Sequence, residues 1–369
     1  LPILVFAGLW GAGCGPESAG RAAFAVRDSA GVRIVDYQTL DAAPRFEVVD
    51  PPVVDLGGIS GEAAIEFYQV TSGDFLSDGS FVVVNAGSEE VRLFGADGET
   101  LASYGTLGDG PGEFRRLVAV DAGPGDSVFA YDAGRRRLTV LTPALEFARL
   151  VSFQGDYRNL ELGGVFANGD VLLVDNGYAQ DSTQVTQQQF YGRYVLVDAV
   201  GQPIDSVGLY PWFTLELGES GTDLRGIRVL LDDPAARDAS GDVLWIGSRK
   251  RHEIEGRDAG GTLRLLLRWP AMDRSVTPED IEEWKRARLA EVAPSRLEAV
   301  RTQLDLAPFS PVFPTHGGIL AGSADELWLQ EYRRPGDRGG QVWRVFERDG
   351  ALRAVVELPE GATVLGVRE

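Results

Sequence analysis

Asn85, Asp132, Asp175 and Glu331 stand at matching places in this sequence, each closing a short and mainly apolar run that begins at Ser80, Ser127, Asp170 or Glu326. Carboxylate and amide oxygens are the ligands a hard cation such as Ca²⁺ requires, so these four are candidates for a ring around one divalent ion. The same residue types also start turns by accepting hydrogen bonds from nearby backbone amides, and that structural use is the preferred expectation. His252 and His316 are the only histidines. A histidine-based metal site or hydrolase would need the two to converge, or one of them to meet an acid and a nucleophile, so no catalytic residue is assigned. His252 lies in the polar run Ser248–Glu253 and reads as part of an exposed turn. Arg135, Arg136 and Arg137 form a run that could hold an acidic ligand, against which stands a bracing role at a turn. Tyr332, Arg333 and Arg334 could line a binding rim. The glycine-rich stretch Gly105–Phe114 lacks the Lys-Ser/Thr and the strand-to-helix setting of a phosphate loop and reads as a tight crossing between strands.

Composition narrows the classes. The 369 residues carry a formal net charge of -20, which repels phosphate backbones and excludes nucleic acid as an expected partner. A single cysteine, Cys14, excludes an intramolecular disulfide and a cysteine zinc cluster.

The elements that must position the candidate residues repeat along the chain. Five segments share one plan: an apolar strand, a Gly/Asp/Asn turn, a second strand ending in a polar residue, an alternating third strand, and a turn into a fourth. Second strands begin at Ser80, Ser127, Asp170, Asp242 and Glu326, with near-regular early spacing and two longer later intervals that carry insertions. Third strands recur at Val91–Phe94, Leu138–Leu141, Tyr194–Val197 and Trp343–Phe346, and Asp97-Gly98 and Asp349-Gly350 after them are strong hairpin signals. Gln180–Phe190 reads as a polar loop. Thr277–Leu304 changes to a helical pattern: Thr277 is a cap, Pro278 suits the first turn, Glu279 and Asp280 face the positive helix end, and Pro294 breaks the run. A helical insertion over 275–306 is expected before the fifth repeat.

Tyr104–Leu150 spells one complete four-stranded unit that resembles the NHL-type blade of six-bladed β-propellers, and Glu331–Asp337 resembles a YRxPGD-like loop of a group of bacterial lipoproteins with TolB-like blades. The resemblance implies an all-β, six-bladed propeller over 28–369 whose last blade is incomplete, with Gly31–Tyr37 and Pro52–Leu56 available to close it. Residues 1–13 form an apolar run of signal-peptide length that ends in Gly11-Ala12-Gly13-Cys14 and resembles a lipobox, with Gly11 where an aliphatic residue is usual. Cys14 is thus the expected lipidation site and residues 14–27 a tether. Without an initiator Met, a basic leader or a finished last blade, the sequence reads as truncated at both ends. The expected protein is a module anchored by lipid in the bacterial cell envelope, at the outer membrane, touching the membrane only through that anchor. It would bind an unidentified peptide, glycan or protein and need no cofactor. The alternative is a hydrolase or lyase dependent on a divalent cation such as Ca²⁺, working at the propeller's channel mouth.

Overall fold

In the computed structural model, residues 3–5, 24–40, 43–48, 52–57, 66–179, 187–217 and 226–368 are described. Cys14, nearly all of the expected leader and most of the tether lie outside them. Five four-stranded antiparallel blades follow one another: Val70–Tyr104, Leu117–Ser152, Leu160–Glu216, Ala236–Arg268 and Ile319–Leu358. Their first strands line a central channel, and the stretch containing Leu365 and Gly366, which runs beside Gly73 and Asp74, contributes to the same lining. The chain is therefore an all-β propeller with a helical insertion.

The second strands hold the blades together. Every residue of Phe81–Asn85, Val128–Asp132 and Val243–Gly247 is buried: the last two strands are covered on both faces by neighbouring blades, and the first by the second blade on one face and by Val54 and Leu56 on the other. Fourth strands such as Thr100–Tyr104 face solvent and read as mixed polar and apolar. Apolar clusters form between consecutive blades: Val82, Val84 and Leu93 of the first meet Phe114, Leu117 and Val128 of the second. Phe129 and Tyr131 then meet Val165 and Leu173, and the seam repeats around the ring. Phe114 is the wedge the glycine-rich loop provides. Gly105 (φ +109) accommodates it, since a Cβ there would stand 2.6 Å from the Phe114 ring and 2.6 Å from the Glu89 carbonyl oxygen.

The N-terminal strands depart from expectation. Phe24–Ser29 and Val32–Tyr37 form a hairpin, and the second of these pairs in parallel with the outer strand of the fourth blade, Leu265 opposite Arg33 and Arg268 opposite Asp36. Arg45–Glu47 adds in the same way to the fifth blade. Gly31–Tyr37 thus extends an existing blade instead of closing the last one. Val54–Leu56 does sit near the closure, packing against Phe81 and Phe94 and pairing with Ile3–Val5. A second departure lies in the third blade, where Gln187–Phe190, expected in a loop, continues the strand to Val197.

The insertion is helical as expected, with α1 at Pro278–Ala290 and α2 at Leu297–Leu306. Thr277 caps α1 in a full capping box with Asp280, and the Trp284 ring meets Phe309 edge-on at 5.6 Å.

Candidate binding face and central channel

In a four-stranded antiparallel blade, the turn from second to third strand and the connection to the next blade fall on the same face. Among the described residues, that face carries the large additions within and between the blades. The third blade's strands run on past the ring as a long hairpin, Val171–Ala179, Gln187–Val197 and Pro203–Glu216, and Ile227–Arg228 adds to its edge. Aromatics collect there: Phe190 stacks on Phe213 at 4.8 Å, Trp212 meets Phe213 at 4.6 Å, and the Arg228 guanidinium lies 5.2 Å from the Phe213 ring. Lys250 of the fourth blade joins the hairpin to the next connection, with Nζ 2.6 Å from the Gln189 side-chain oxygen and 3.0 Å from Asp232.

Tyr332, Arg333 and Arg334 lie on this face but are engaged within it. The Tyr332 ring packs 5.5 Å from Phe313, and burial, then Asp233, pushes its hydroxyl pKa up. Arg334 lies over Phe313 and donates to the Asp273 carbonyl at 2.8 Å, tying its loop to the stretch that leads into α1, while Arg333 donates to the Asp337 carbonyl at 2.7 Å.

Asn85, Asp132 and Asp175 occupy equivalent places, and each accepts hydrogen bonds from backbone amides of the segment leading into its own blade's first strand. Asn85 accepts from Tyr68 at 2.7 Å; Asp132 from Arg115 at 3.1 Å and Arg116 at 3.0 Å; Asp175 from Arg158 at 2.8 Å and Asn159 at 3.0 Å. Asp132 also takes the amides of Gly134 and Arg135, and Asp175 takes the Tyr178 hydroxyl and the Arg193 guanidinium. Glu331 is instead ion-paired with Arg344 at 2.8 Å. These oxygens are occupied by the chain itself, and among the described residues no group of three or more His, Cys, Asp or Glu is placed to hold a metal ion.

The two histidines do come together, in contrast to the exposed turn expected for His252. Both rings meet Trp269, at 5.9 Å for His252 and 6.4 Å for His316. His316 is buried, and desolvation followed by the nearby Arg249 charge pushes its pKa down to about 3, so it stays neutral at any ordinary pH.

The channel, about 210 Å³, contains carboxylates that sequence reasoning did not single out: Asp74, Asp121 and Asp238, one each from the first, second and fourth blades. Asp74 accepts from the Ala122 amide at 2.8 Å and Asp238 from the Ala321 amide at 2.8 Å, so each joins its blade to the next. They are part-exposed to the lumen yet enclosed by the body of the protein. Burial pushes Asp74 up to about 6 against the pull of its amide partners, and Asp238 up to about 7. Asp121 rises well above the ordinary range through burial, then the charges of Asp238 and Asp74. The first strands of these three blades each hold one Asp and those of the third and fifth hold none, and nothing local says that the three face one lumen. Beside them Arg237 pairs with Glu161 at 2.6 Å, and Asn176 donates to the same carboxylate at 2.8 Å.

No protein-family model matches the sequence, and no curated protein matches it. Solved structures do. A DUF4221 family member from Bacteroides vulgatus is 11% identical over 79% of this chain and 82% of its own, with a TM-score of 0.46. A protein of unknown function from Bacteroides caccae is 10% identical over 92% and 97%, at 0.38. Virginiamycin B lyase from Staphylococcus aureus is 11% identical over 95% and 89%, at 0.38. Likeness at this level carries no activity across, and among the described residues no helix is long and apolar enough to cross a membrane. By its own strand order, this chain is a β-propeller that has gathered its insertions on one face.

Proposed function

We propose that the protein is a binding module of the bacterial cell envelope, anchored by lipid at Cys14, and that it takes a peptide, glycan or protein partner on the insertion-bearing face. The observation that carries this reading is the placement of the long third-blade hairpin, the helical pair and the Glu331–Gly340 loop on one face of a rigid ring, where loops can vary without disturbing the core. The stacked Phe190, Trp212 and Phe213 give that face the aromatic contact area that recognition surfaces favour.

Arrays of envelope peptides and glycans probed with the full chain test the reading. A partner whose binding is lost in Trp212→Ser and kept in Glu99→Lys, on the opposite face, is the expected result; loss in Glu99→Lys alone would overturn it. Anchoring has its own test. Metabolic palmitate labelling should mark the wild type and vanish in Cys14→Ser. The alternative, a cation-dependent hydrolase or lyase, would gain if Ca²⁺ raised the melting temperature and EDTA lowered it.

A further inference from the structure

A separate pocket of about 460 Å³ lies between the second and third blades, on the insertion-bearing face. Arg135, Arg136 and Arg137 supply one wall; Phe153, Asp156 and Tyr157, on the connection to the third blade, supply the other. Each arginine has a bracing contact: Arg135 pairs with Asp109, Arg136 donates to the Tyr157 carbonyl at 3.1 Å, and Arg137 donates to the Glu113 carbonyl at 3.2 Å. A guanidinium has five N–H donors, so these contacts leave most of them unused. The Nε–H groups of Arg135 and Arg137 are buried with no acceptor, as is that of Arg193, whose guanidinium lies 5.8 Å from the Tyr157 ring.

The turn itself does not require this charge. In the first blade the equivalent positions are Ser88, Glu89 and Glu90, with Glu89 adopting the same positive φ (57) as Arg136 (53). The first blade therefore builds the same turn from carboxylates, and the second concentrates cations in a protein whose net charge is -20. Asp156 is the one carboxylate in the pocket lining, and Arg193 donates to its backbone carbonyl, not to its side chain.

We infer that this pocket binds a small organic anion by its oxyanion group, with the guanidinium forks of Arg136 and Arg137 taking the oxygens and Phe153 and Tyr157 receiving the carbon skeleton. Planar forks match carboxylate and phosphate oxygens in pairs, and unsatisfied buried donors favour a ligand that supplies acceptors. The volume suits a molecule the size of a sugar acid or a sugar phosphate. The inference deepens the binding-module reading by naming a ligand class for one part of its face.

Isothermal titration of the full chain at low salt with glucuronate, glucose 6-phosphate, neutral glucose and inorganic phosphate tests it. Saturable binding of glucuronate or glucose 6-phosphate, absent for glucose, is expected, and which of the two binds identifies the oxyanion. Arg137→Gln and the exposed Arg136→Gln should each weaken it at least tenfold, and Arg137→Lys should fail to restore it because an ammonium lacks the fork. Binding should weaken with added NaCl. No saturable binding by either sugar anion, or equal binding by wild type and both glutamine variants, would overturn the inference. Arg136→Gln retaining an array partner while losing the small anion would sink neither this site nor the wider reading. Failure of the arrays alongside an intact titration would count against the wider reading only.

Discussion

Asp132→Ala is expected to lower the stability of the fold by about 3–5 kcal/mol, with or without Ca²⁺ in the buffer. The side chain is fully buried, and its two oxygens accept from four backbone amides, those of Arg115, Arg116, Gly134 and Arg135. Hydrogen bonds to a charged group contribute about 1.5–3 kcal/mol each, and alanine would take this acceptor from all four amides, of which only that of Arg135 keeps another in the Asp132 backbone carbonyl. The four do not add independently, because they share two oxygens, which sets the range below their sum. Asp132→Asn keeps one carbonyl oxygen in place and should lose roughly half as much. Urea unfolding midpoints measure both. A loss below about 1 kcal/mol for the alanine variant would refute the amide-clamp account, and a loss seen only when Ca²⁺ is present would restore the cation-ligand reading of this position.

Asp238→Asn should have the opposite effect at alkaline pH. The folded protein holds Asp238 up to about 7, above the ordinary carboxylate value of 3.8, so it keeps a proton that the unfolded chain releases. Folded protein therefore binds more protons than unfolded across that window, and this group's contribution to stability falls as the pH rises through it. His316 acts in the other direction: buried neutral, with its pKa pushed down to about 3 from 6.5, it favours folding above that upper value and loses the benefit as the pH falls. The His316 gain is already more than half complete at pH 6.5 and ends about one unit higher, so from there on the raised carboxylates give the larger change. Wild type should thus become less stable from pH 6.5 to 8, while Asp238→Asn, whose single side-chain oxygen can keep the Ala321 amide but gives up that of Ala239, should still gain on the order of 1–3 kcal/mol over it at pH 8 and show no gain at pH 4.5. Asp121→Asn should act in the same direction, since Asp121 is raised by burial and by the neighbouring Asp238 and Asp74 charges. Melting temperatures of the three proteins across this range decide the matter. A wild type whose stability rises between pH 6.5 and 8, or an Asp238→Asn that melts lower at pH 8, would contradict the picture of proton-holding channel carboxylates.

These two sets of carboxylates differ in how far the sequence announced them. Asn85, Asp132 and Asp175 were legible because they recur at one place in each repeat, and the amides they serve lie 16 or 17 residues upstream in every case. Asp74, Asp121 and Asp238 were not, because a first strand is short, and a channel exists only once all the blades have closed into a ring. The arginine pocket shows both levels at once. The run Arg135–Arg137 was visible as a candidate anion site, but its second wall, with Phe153 and Tyr157, comes from a connection that only the docking of the third blade brings opposite.

What the sequence determined alone is what local chemistry sets: the blades, from apolar second-strand runs that close on Asn or Asp and from the Asp-Gly turns that end third strands, and the helical insertion, from the Thr277 capping box and the proline break. What the tertiary structure decided is where those units dock. Val32–Tyr37 joins the outer edge of the fourth blade through backbone hydrogen bonds. Such bonds are the same for every residue type, so no side-chain pattern distinguishes one open edge from another. Likewise His252 and His316, 64 residues apart in the chain, meet around Trp269 only because the fourth-blade turn and the post-helical segment pack together, as the hydrogen bond from Thr315 to the Arg251 carbonyl at the same separation shows. Periodicity and turn residues act over a few positions, whereas a channel, a pocket wall or a shared ring contact is set by the closure of the whole propeller.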